Sequence, residues 1–548
     1  MPNAYPLTFG QKWGLLIVSF FILALGQPAW VGWLGIVASI CGITLFLRVA
    51  LCIPSRIKRF LLGTLWFGAI QAFQLSWFIS HPYYYIYAVL IFCALITGVQ
   101  WGFLCILMTP KILKRTLNLF ALAGLWTLLE WSRLFILSGL PFNPIGLYLT
   151  DFVYPLQIAS VGGIYGLSFL VLLTNLFFLK ALLQPRSYFN WTTYCALVFL
   201  PWIFGWLHLD FQQTKSLNDQ KTLSVLLVQT SLPLEENMVF HSAEEARFFV
   251  LSEWQEALSS LQKHQGKHFD LIVFPEYLVP YGTFHFVYPL EEVQYLLKSL
   301  FLFNDSLFPN KKSGYVENVF TSNAYIAQSI ANIFNSHVVI GLGHSIHNQE
   351  KKETYCSAFH FIPGGLQPAG RYDKRILVPM GEYIPFEWCR KLAARYGVES
   401  SVSAGTEAQI FAGPVPLGAA ICYEEIYGHL MRENRIKGAE LLVNLTNDGW
   451  YPYSKLPQQH FDHARLRTVE NGIPLIRACN TGITGAVDSL GRTVAALHDD
   501  HDLREAIHVD VPLYHYQTLY SKYGDYPVLA LSFFFIFCFN HLTQKEEK

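Results

Sequence analysis

The sequence predicts a polytopic α-helical membrane protein with an α/β domain inserted on the extracytoplasmic side. Three observations carry that prediction. The chain is 52% hydrophobic and only 14% charged, well below the roughly 25% charged residues of a soluble domain. Apolar runs long enough to cross a bilayer fill residues 1–209, and a shorter one occupies 526–540. Between them, 210–525 is polar and long enough to fold as a domain of its own.

A helix crossing the hydrocarbon needs ~20 apolar residues. Seven runs meet this, near 13–30, 31–51, 60–80, 84–108, 117–137, 162–183 and 191–207. The weak basic region ahead of the first run, and the six runs behind it, favour an uncleaved anchor over a signal peptide. Lys and Arg gather in alternate loops: Arg56, Lys58 and Arg59, then Lys111, Lys114 and Arg115, then Arg186 with Lys180 at its edge. The positive-inside tendency therefore puts the N-terminus in the cytoplasm and 210–525 outside. Residues 526–548 then return as a last helix with a cytoplasmic tail.

Zero net charge gives no pointer to a nucleic-acid partner. Of ten cysteines, Cys41, Cys52, Cys93, Cys105, Cys195 and Cys538 lie in apolar runs and read as packing residues. Cys356, Cys389 and Cys479 share the oxidising side with Cys422, where a disulfide is allowed but its pairing stays open.

Within the polar region, 223–229, 270–274, 337–341, 358–363, 417–422, 440–444, 474–478 and 485–488 read as short buried strands. Helical patterns at 243–264 and 457–470 lie between them, giving a layered α/β fold. The stretch PLGAAICYEEIY from Pro416 puts Cys422 where an apolar strand stops and an acidic, helical pattern begins. A thiol on such a corner sits beside backbone N–H groups that stabilise a thiolate or an oxyanion. A buried packing cysteine is the competing reading.

Two further strand ends carry chemistry. Asp270 to Phe274 runs into PEY, which sets Glu276 just past a strand, and GRYDKRILVPMGEYIP holds Lys374 and Glu382 among apolar residues. A thiol of pKa ~8.5 is mostly protonated at neutral pH, so attack on an acyl carbon needs a base, and Glu276 is the candidate. Lys374 is the candidate stabiliser of the oxyanion that forms. Glu382 either orients Lys374 or shares the proton work. His460 with His463, and His344 with His347, lack acidic or cysteine partners at metal-ligand spacing, so no metal is expected.

These motifs carry a resemblance. PEY at Glu276, the Lys374 to Pro385 cluster, CYEE at Cys422 and the long segment NLTNDGWYPYSKLPQQHFDHARLRTVENGIPLIRACNTGITGAVDSLGR are similar to a nitrilase-superfamily domain. VPMGEYIP, the N-terminal spans, LPFNPIGLYL and PLQIASVGGIYGLSF narrow it to the apolipoprotein N-acyltransferase family. The resemblance covers nearly the whole chain.

It implies an αββα sandwich on the periplasmic side of a bacterial inner membrane. It also implies acyl transfer from a phospholipid, through a cysteine thioester, to the α-amine of the N-terminal S-diacylglyceryl cysteine of apolipoproteins. Carried over by motif, Glu276 is base, Lys374 stabiliser and Cys422 nucleophile, with Glu382, Tyr423 and Glu424 in supporting positions. No cofactor is implied, and there is no P-loop pattern for ATP. A membrane-tethered amidase using the same residues is the alternative, and a non-catalytic scaffold is a third.

Two departures stand out. Met238 occupies the region where the family often has tryptophan, and residues 288–318 look like an insertion. The apolar stretch YLVPYGTFHFVY, 277–288, reads either as a mobile membrane-facing arm or as ordinary core.

Overall fold

The computed structural model describes residues 7–217, 221–233, 238–310, 314–348, 351–394, 402–498 and 500–544. The chain divides into two compact units. One comprises Met1–Leu217, Ser454–Asp462 and Gln517–Lys548, the other Asn218–Tyr453 and His463–Tyr516.

The first unit is helical. Thr8 opens it with a reciprocal capping box to Gln11, which ends Phe9–Leu25 cleanly on its N-terminal side. Among the described residues, four helices are long and apolar enough to cross a membrane: Pro28–Ala50, Ile86–Leu107, Ala159–Leu183 and Tyr188–Ser216. Phe9–Leu25 and Tyr526–Phe539 are shorter apolar helices. Pro28–Ala50 contains a π turn, Ala38–Gly42, which disturbs the backbone ladder. Asn175 repairs it from the neighbouring helix, its amide donating to Ser39 O at 2.8 Å and accepting from Thr44 N at 3.0 Å. Gly124 lets the C-terminal helix approach closely, since a Cβ there would sit 2.9 Å from the Ser532 Cα.

The second unit is built on two sheets. Its strands are β1 (Thr222–Gln229), β2 (Leu271–Val273), β3 (Tyr288–Pro289), β4 (Val316–Glu317), β5 (Phe320–Thr321), β6 (His337–Asn348), β7 (Lys351–Phe361) and β8 (Gly370–Asp373). There follow β9 (Ile410–Ala412), β10 (Pro416–Ile421), β11 (Leu441–Thr446), β12 (Leu475–Cys479), β13 (Gly485–Val487), β14 (Thr493–Ala496) and β15 (Glu505–Pro512). One sheet runs β15-β1-β2-β6-β7-β8, the other β14-β13-β12-β11-β10-β9, and β3-β5-β4 forms a small third. The centre of each large sheet is parallel, β1-β2-β6 and β10-β11-β12, with antiparallel flanks.

The period-2 alternation of side chains decides the layering. Leu223, Val225 and Leu227 of β1 meet Leu441, Val443 and Leu445 of β11 in one buried core between the sheets. The alternate residues Leu226 and Val228 face outward onto Trp254 and Leu258 of the helix Ala243–Gln262. On the far side, Ala420 and Leu442 pack against Met431 and Ala464 of the helices Gly428–Ile436 and Leu456–Asn471. Helix, sheet, sheet and helix are thus stacked in the expected αββα order.

Several local expectations shift. The strand read at 337–341 runs on to Asn348, because pairing with β7 continues through all eleven of its residues. The helix expected directly after Cys422 is a 3₁₀ turn, Cys422–Ile426, and the α-helix starts only at Gly428. Stretch 277–288 divides: Leu278, Val279 and Tyr288 are buried in the cluster under the outer helices, whereas Phe284 and His285 are exposed. In the 288–318 segment, Val293 and Leu297 anchor the helix Leu290–Leu300 to that cluster.

Candidate active site

Three segments leave strand ends and converge. Glu276 lies three residues past β2, Lys374 directly follows β8, and Cys422 directly follows β10. The chain turns sharply at two of these places. Cys422 has φ 54° and Tyr277, beside Glu276, has φ 45°, a region a side chain enters only when its surroundings hold it there. Glu276 can lie against β6 because residue 341 is glycine: a Cβ at Gly341 would meet the Glu276 Cα at 2.6 Å.

The side chains form one network, with Glu276 and Lys374 buried and Cys422 and Glu382 half-buried. Lys374 Nζ donates to Glu276 Oε1 at 3.0 Å and to Glu382 Oε1 at 2.6 Å. Glu382 is held in turn by Val378 N–H, 2.8 Å from its other oxygen. The Cys422 thiol faces the Glu276 carboxylate closely enough that each group shifts the other's proton affinity. All three residues carried by motif, and Glu382, are therefore brought together.

Glu424 does something different. Fully buried, it accepts from Arg375 N at 2.6 Å, Ile376 N at 3.1 Å, Ile421 N at 2.8 Å and the Tyr372 hydroxyl at 2.8 Å. Arg375 and Ile376 follow Lys374, and Ile421 precedes Cys422. One carboxylate thus ties the lysine segment to the cysteine corner. Tyr423 adds a weaker tie, its hydroxyl donating to Leu377 O at 3.4 Å and accepting from Tyr427. Asn444 Nδ2 holds the Cys422 carbonyl at 3.0 Å.

Electrostatics follow from burial and pairing. Burial lifts the Glu276 pKa above the ordinary carboxylate value, while Lys374 and Cys422 pull it back. Burial works against the Lys374 ammonium, but the Glu276 and Glu382 carboxylates more than reverse that and hold its pKa well above the usual value. The Cys422 thiol is pushed well up by desolvation and by the Glu276 charge. The resting site therefore pairs a neutral thiol and a permanent ammonium with a carboxylate of raised basicity. That combination suits proton abstraction during attack rather than a preformed thiolate.

Two features escape sequence reasoning. Cys356, in the middle of β7, directs its thiol to Glu276 Oε1 at 3.4 Å. Arg477 of β12, fully buried, pairs with Glu425 and lies 3.6 Å from Asp448. Neither is visible as a motif, because each pair joins positions far apart in the chain. Cys356, Cys389 and Cys479 are all free thiols, so no disulfide links them. Among the described residues, no group of three or more His, Cys, Asp or Glu side chains gathers to hold a metal ion. Met238 is described and half-buried, and nothing in the structure gives it a role.

Residues 14–177 match the family described as the apolipoprotein N-acyltransferase N-terminal domain, and 250–513 match carbon–nitrogen hydrolase. The apolipoprotein N-acyltransferase of Chlamydia pneumoniae is 33% identical over 539 residues, covering 94% of this chain and 95% of its own. The chain belongs to the apolipoprotein N-acyltransferase family. A second member, from Chlamydia caviae, is 34% identical over 509 residues, 88% of this chain and 89% of its own. The solved carbon–nitrogen hydrolase of Helicobacter pylori G27 matches at 16% identity and TM-score 0.34, over 54% of this chain and 90% of that one. Membership in the apolipoprotein N-acyltransferase family, the nitrilase-like fold and the apolar N-terminal helices agree with what the sequence predicts.

Proposed function

We propose that this protein moves a fatty acyl chain from a membrane phospholipid to the α-amine of the S-diacylglyceryl cysteine at the N-terminus of apolipoproteins. The observation that carries the proposal is the Glu276–Lys374–Cys422 network in a chain of this family, with buried Lys374 3.0 Å from buried Glu276 and the half-buried Cys422 thiol facing the same carboxylate.

The steps follow from the geometry. As the Cys422 sulfur attacks a phospholipid ester carbonyl, its proton passes to Glu276. The tetrahedral oxyanion forms beside the Lys374 ammonium, which a preorganised site makes worth several kcal/mol. Collapse expels the lysophospholipid alkoxide, which takes the proton from Glu276, and leaves a thioester on Cys422. In the second half, the lipoprotein amine attacks that thioester and Glu276 accepts a proton from it. The thiolate leaves and is reprotonated, so the enzyme ends as it began. Glu382 keeps Lys374 aimed at the site, while Glu424 and Tyr423 keep the lysine segment and the cysteine corner in register.

The membrane setting is part of the same reading. Both substrates carry acyl chains, so their reactive groups lie at the edge of the hydrocarbon. The alternating loop charges support about seven spans in 1–209, a catalytic domain over 210–525 on the periplasmic side of the inner membrane, and a last span in 526–548.

The test uses full-length protein in detergent with phospholipid, with and without a diacylglyceryl lipopeptide. N-acylated lipopeptide from wild type and none from Cys422→Ala is the expected result. An acyl-enzyme lost only to water, with no product on the peptide amine, would favour an amidase or lipase instead.

A further inference from the structure

Glu276 is faced by groups from every element packed against it. Lys374 and Glu382 come from the segment after β8, Cys422 from its corner, Cys356 from β7, and Tyr277 lies beside it in the chain. Lys374 and Cys356 donate to the Glu276 carboxylate, and the Cys422 thiol faces it. The Cys422 thiol is the group whose proton leaves. Lys374 is shared with Glu382 at 2.6 Å and also faces the oxyanion. Cys356 alone has no second duty for its thiol. It is fully buried, it lies mid-strand opposite Gly343 of β6, and its Sγ is 3.4 Å from Glu276 Oε1. Its backbone also helps, because the Cys356 carbonyl accepts from Lys374 N–H at 2.8 Å.

We propose that Cys356 is a positioning residue for the base: its thiol fixes the Glu276 carboxylate from β7 and sets how readily that carboxylate takes the Cys422 proton. The proposal rests on the acyl-transfer reading above and adds to it a residue that the Glu-Lys-Cys set does not contain. A thiol is a weak donor, so it orients the carboxylate while stabilising its charge little, which leaves Glu276 more basic than a hydroxyl would. Burial and the adjacent carboxylate also push the Cys356 thiol well above its ordinary pKa, so it stays a donor wherever Glu276 is ionised.

This predicts opposite effects from two small substitutions. Cys356→Ser supplies a stronger donor, stabilises the carboxylate and moves the acid limb of acylation to lower pH. Cys356→Ala removes the donor and moves that limb to higher pH. The Ser shift should be about one pH unit, the scale on which a single hydrogen bond to a carboxylate acts, and the Ala shift smaller and of opposite sign, because the thiol it removes is a weak donor.

The experiment follows formation of the hydroxylamine-sensitive Cys422 acyl adduct against pH, using full-length protein, phospholipid in detergent, and the wild-type, Ser and Ala forms. Shifts of opposite sign support the proposal. Equal midpoints, or shifts in the same direction, overturn it, because a packing role alone has no reason to track donor strength. Should the Ala form not fold, the sign of the Ser shift decides. Absence of any Cys422 adduct in wild type overturns the acyl-transfer reading itself, and the proposal with it.

Discussion

Replacing Glu424 with glutamine changes no shape and one charge, yet the structure predicts a large effect. The carboxylate accepts four hydrogen bonds and donates none. An amide has one accepting oxygen and one NH₂ group. If the oxygen keeps Arg375 and Ile376, the NH₂ points at Ile421 N–H, and only the Tyr372 hydroxyl can turn to accept from it. Two bonds then fall from charged to neutral acceptors, losing about 1 kcal/mol each, and one buried N–H is orphaned at about 1–3 kcal/mol. The sum is about 3–5 kcal/mol, concentrated at the junction between the Lys374 segment and the Cys422 corner. The flipped amide is worse, since it orphans two backbone groups.

Misplacing a reacting group by about 1 Å can lower a rate by about a hundredfold. Glu424→Gln should therefore lower Tm and slow acyl-enzyme formation by about that factor. The rate is measured by acid quench and intact-mass spectrometry, and Tm by thermal unfolding in the same detergent. A variant that acylates at the wild-type rate with unchanged Tm would refute the view that Glu424 sets the spacing of the site.

Other outcomes follow from the same geometry. Glu276→Gln removes the proton acceptor and should slow acylation by about 10²–10⁴-fold, read as loss of the hydroxylamine-sensitive adduct while far-UV circular dichroism is unchanged. Because burial raises the Glu276 pKa and only the ionised form accepts a proton, wild-type acylation should fall as pH drops through a midpoint above the ordinary carboxylate range. A midpoint inside that range would contradict the assignment. Gly124→Ala puts a Cβ 2.9 Å from the Ser532 Cα and should cost about 1–3 kcal/mol by overpacking, seen as a lower Tm. Gly162→Ala, whose Cβ meets nothing within 4 Å, is the control that should hold or gain stability.

Much of the site is legible in the sequence because it lies at strand ends. Glu276 and Cys422 each follow an apolar run that reads as a buried strand, whereas Lys374 follows the short, largely polar strand Gly370–Asp373, which no apolar run marks. The alternation within Leu223 to Val228 likewise declares two buried faces, which is why the layered fold could be anticipated. Other features depend on what meets what. In the sequence Cys356 stands only as one of the cysteines of the polar region, just ahead of the strand read at 358–363, and only the pairing of β7 with β6 and β8 turns its thiol onto Glu276. The buried pair of Arg477 with Glu425 joins residues 52 positions apart, with no local pattern to mark it. The polar run after Cys422 suggested helix at once, but the left-handed backbone at Cys422 and the Glu424 cap favour a tight 3₁₀ turn first. The 277–288 stretch shows the limit of hydropathy: an apolar loop and an apolar core segment read alike until neighbours are known.

The most direct test of the central claim is a pulse and chase followed by peptide mass spectrometry. Full-length protein is charged with phospholipid, digested, and the acyl mass located; a parallel sample receives diacylglyceryl lipopeptide before digestion. The account predicts one acyl group on the Cys422 peptide that disappears as the same mass appears on the lipopeptide amine. An acyl group on any other residue, or peptide product formed while the Cys422 peptide never carries acyl, would contradict it.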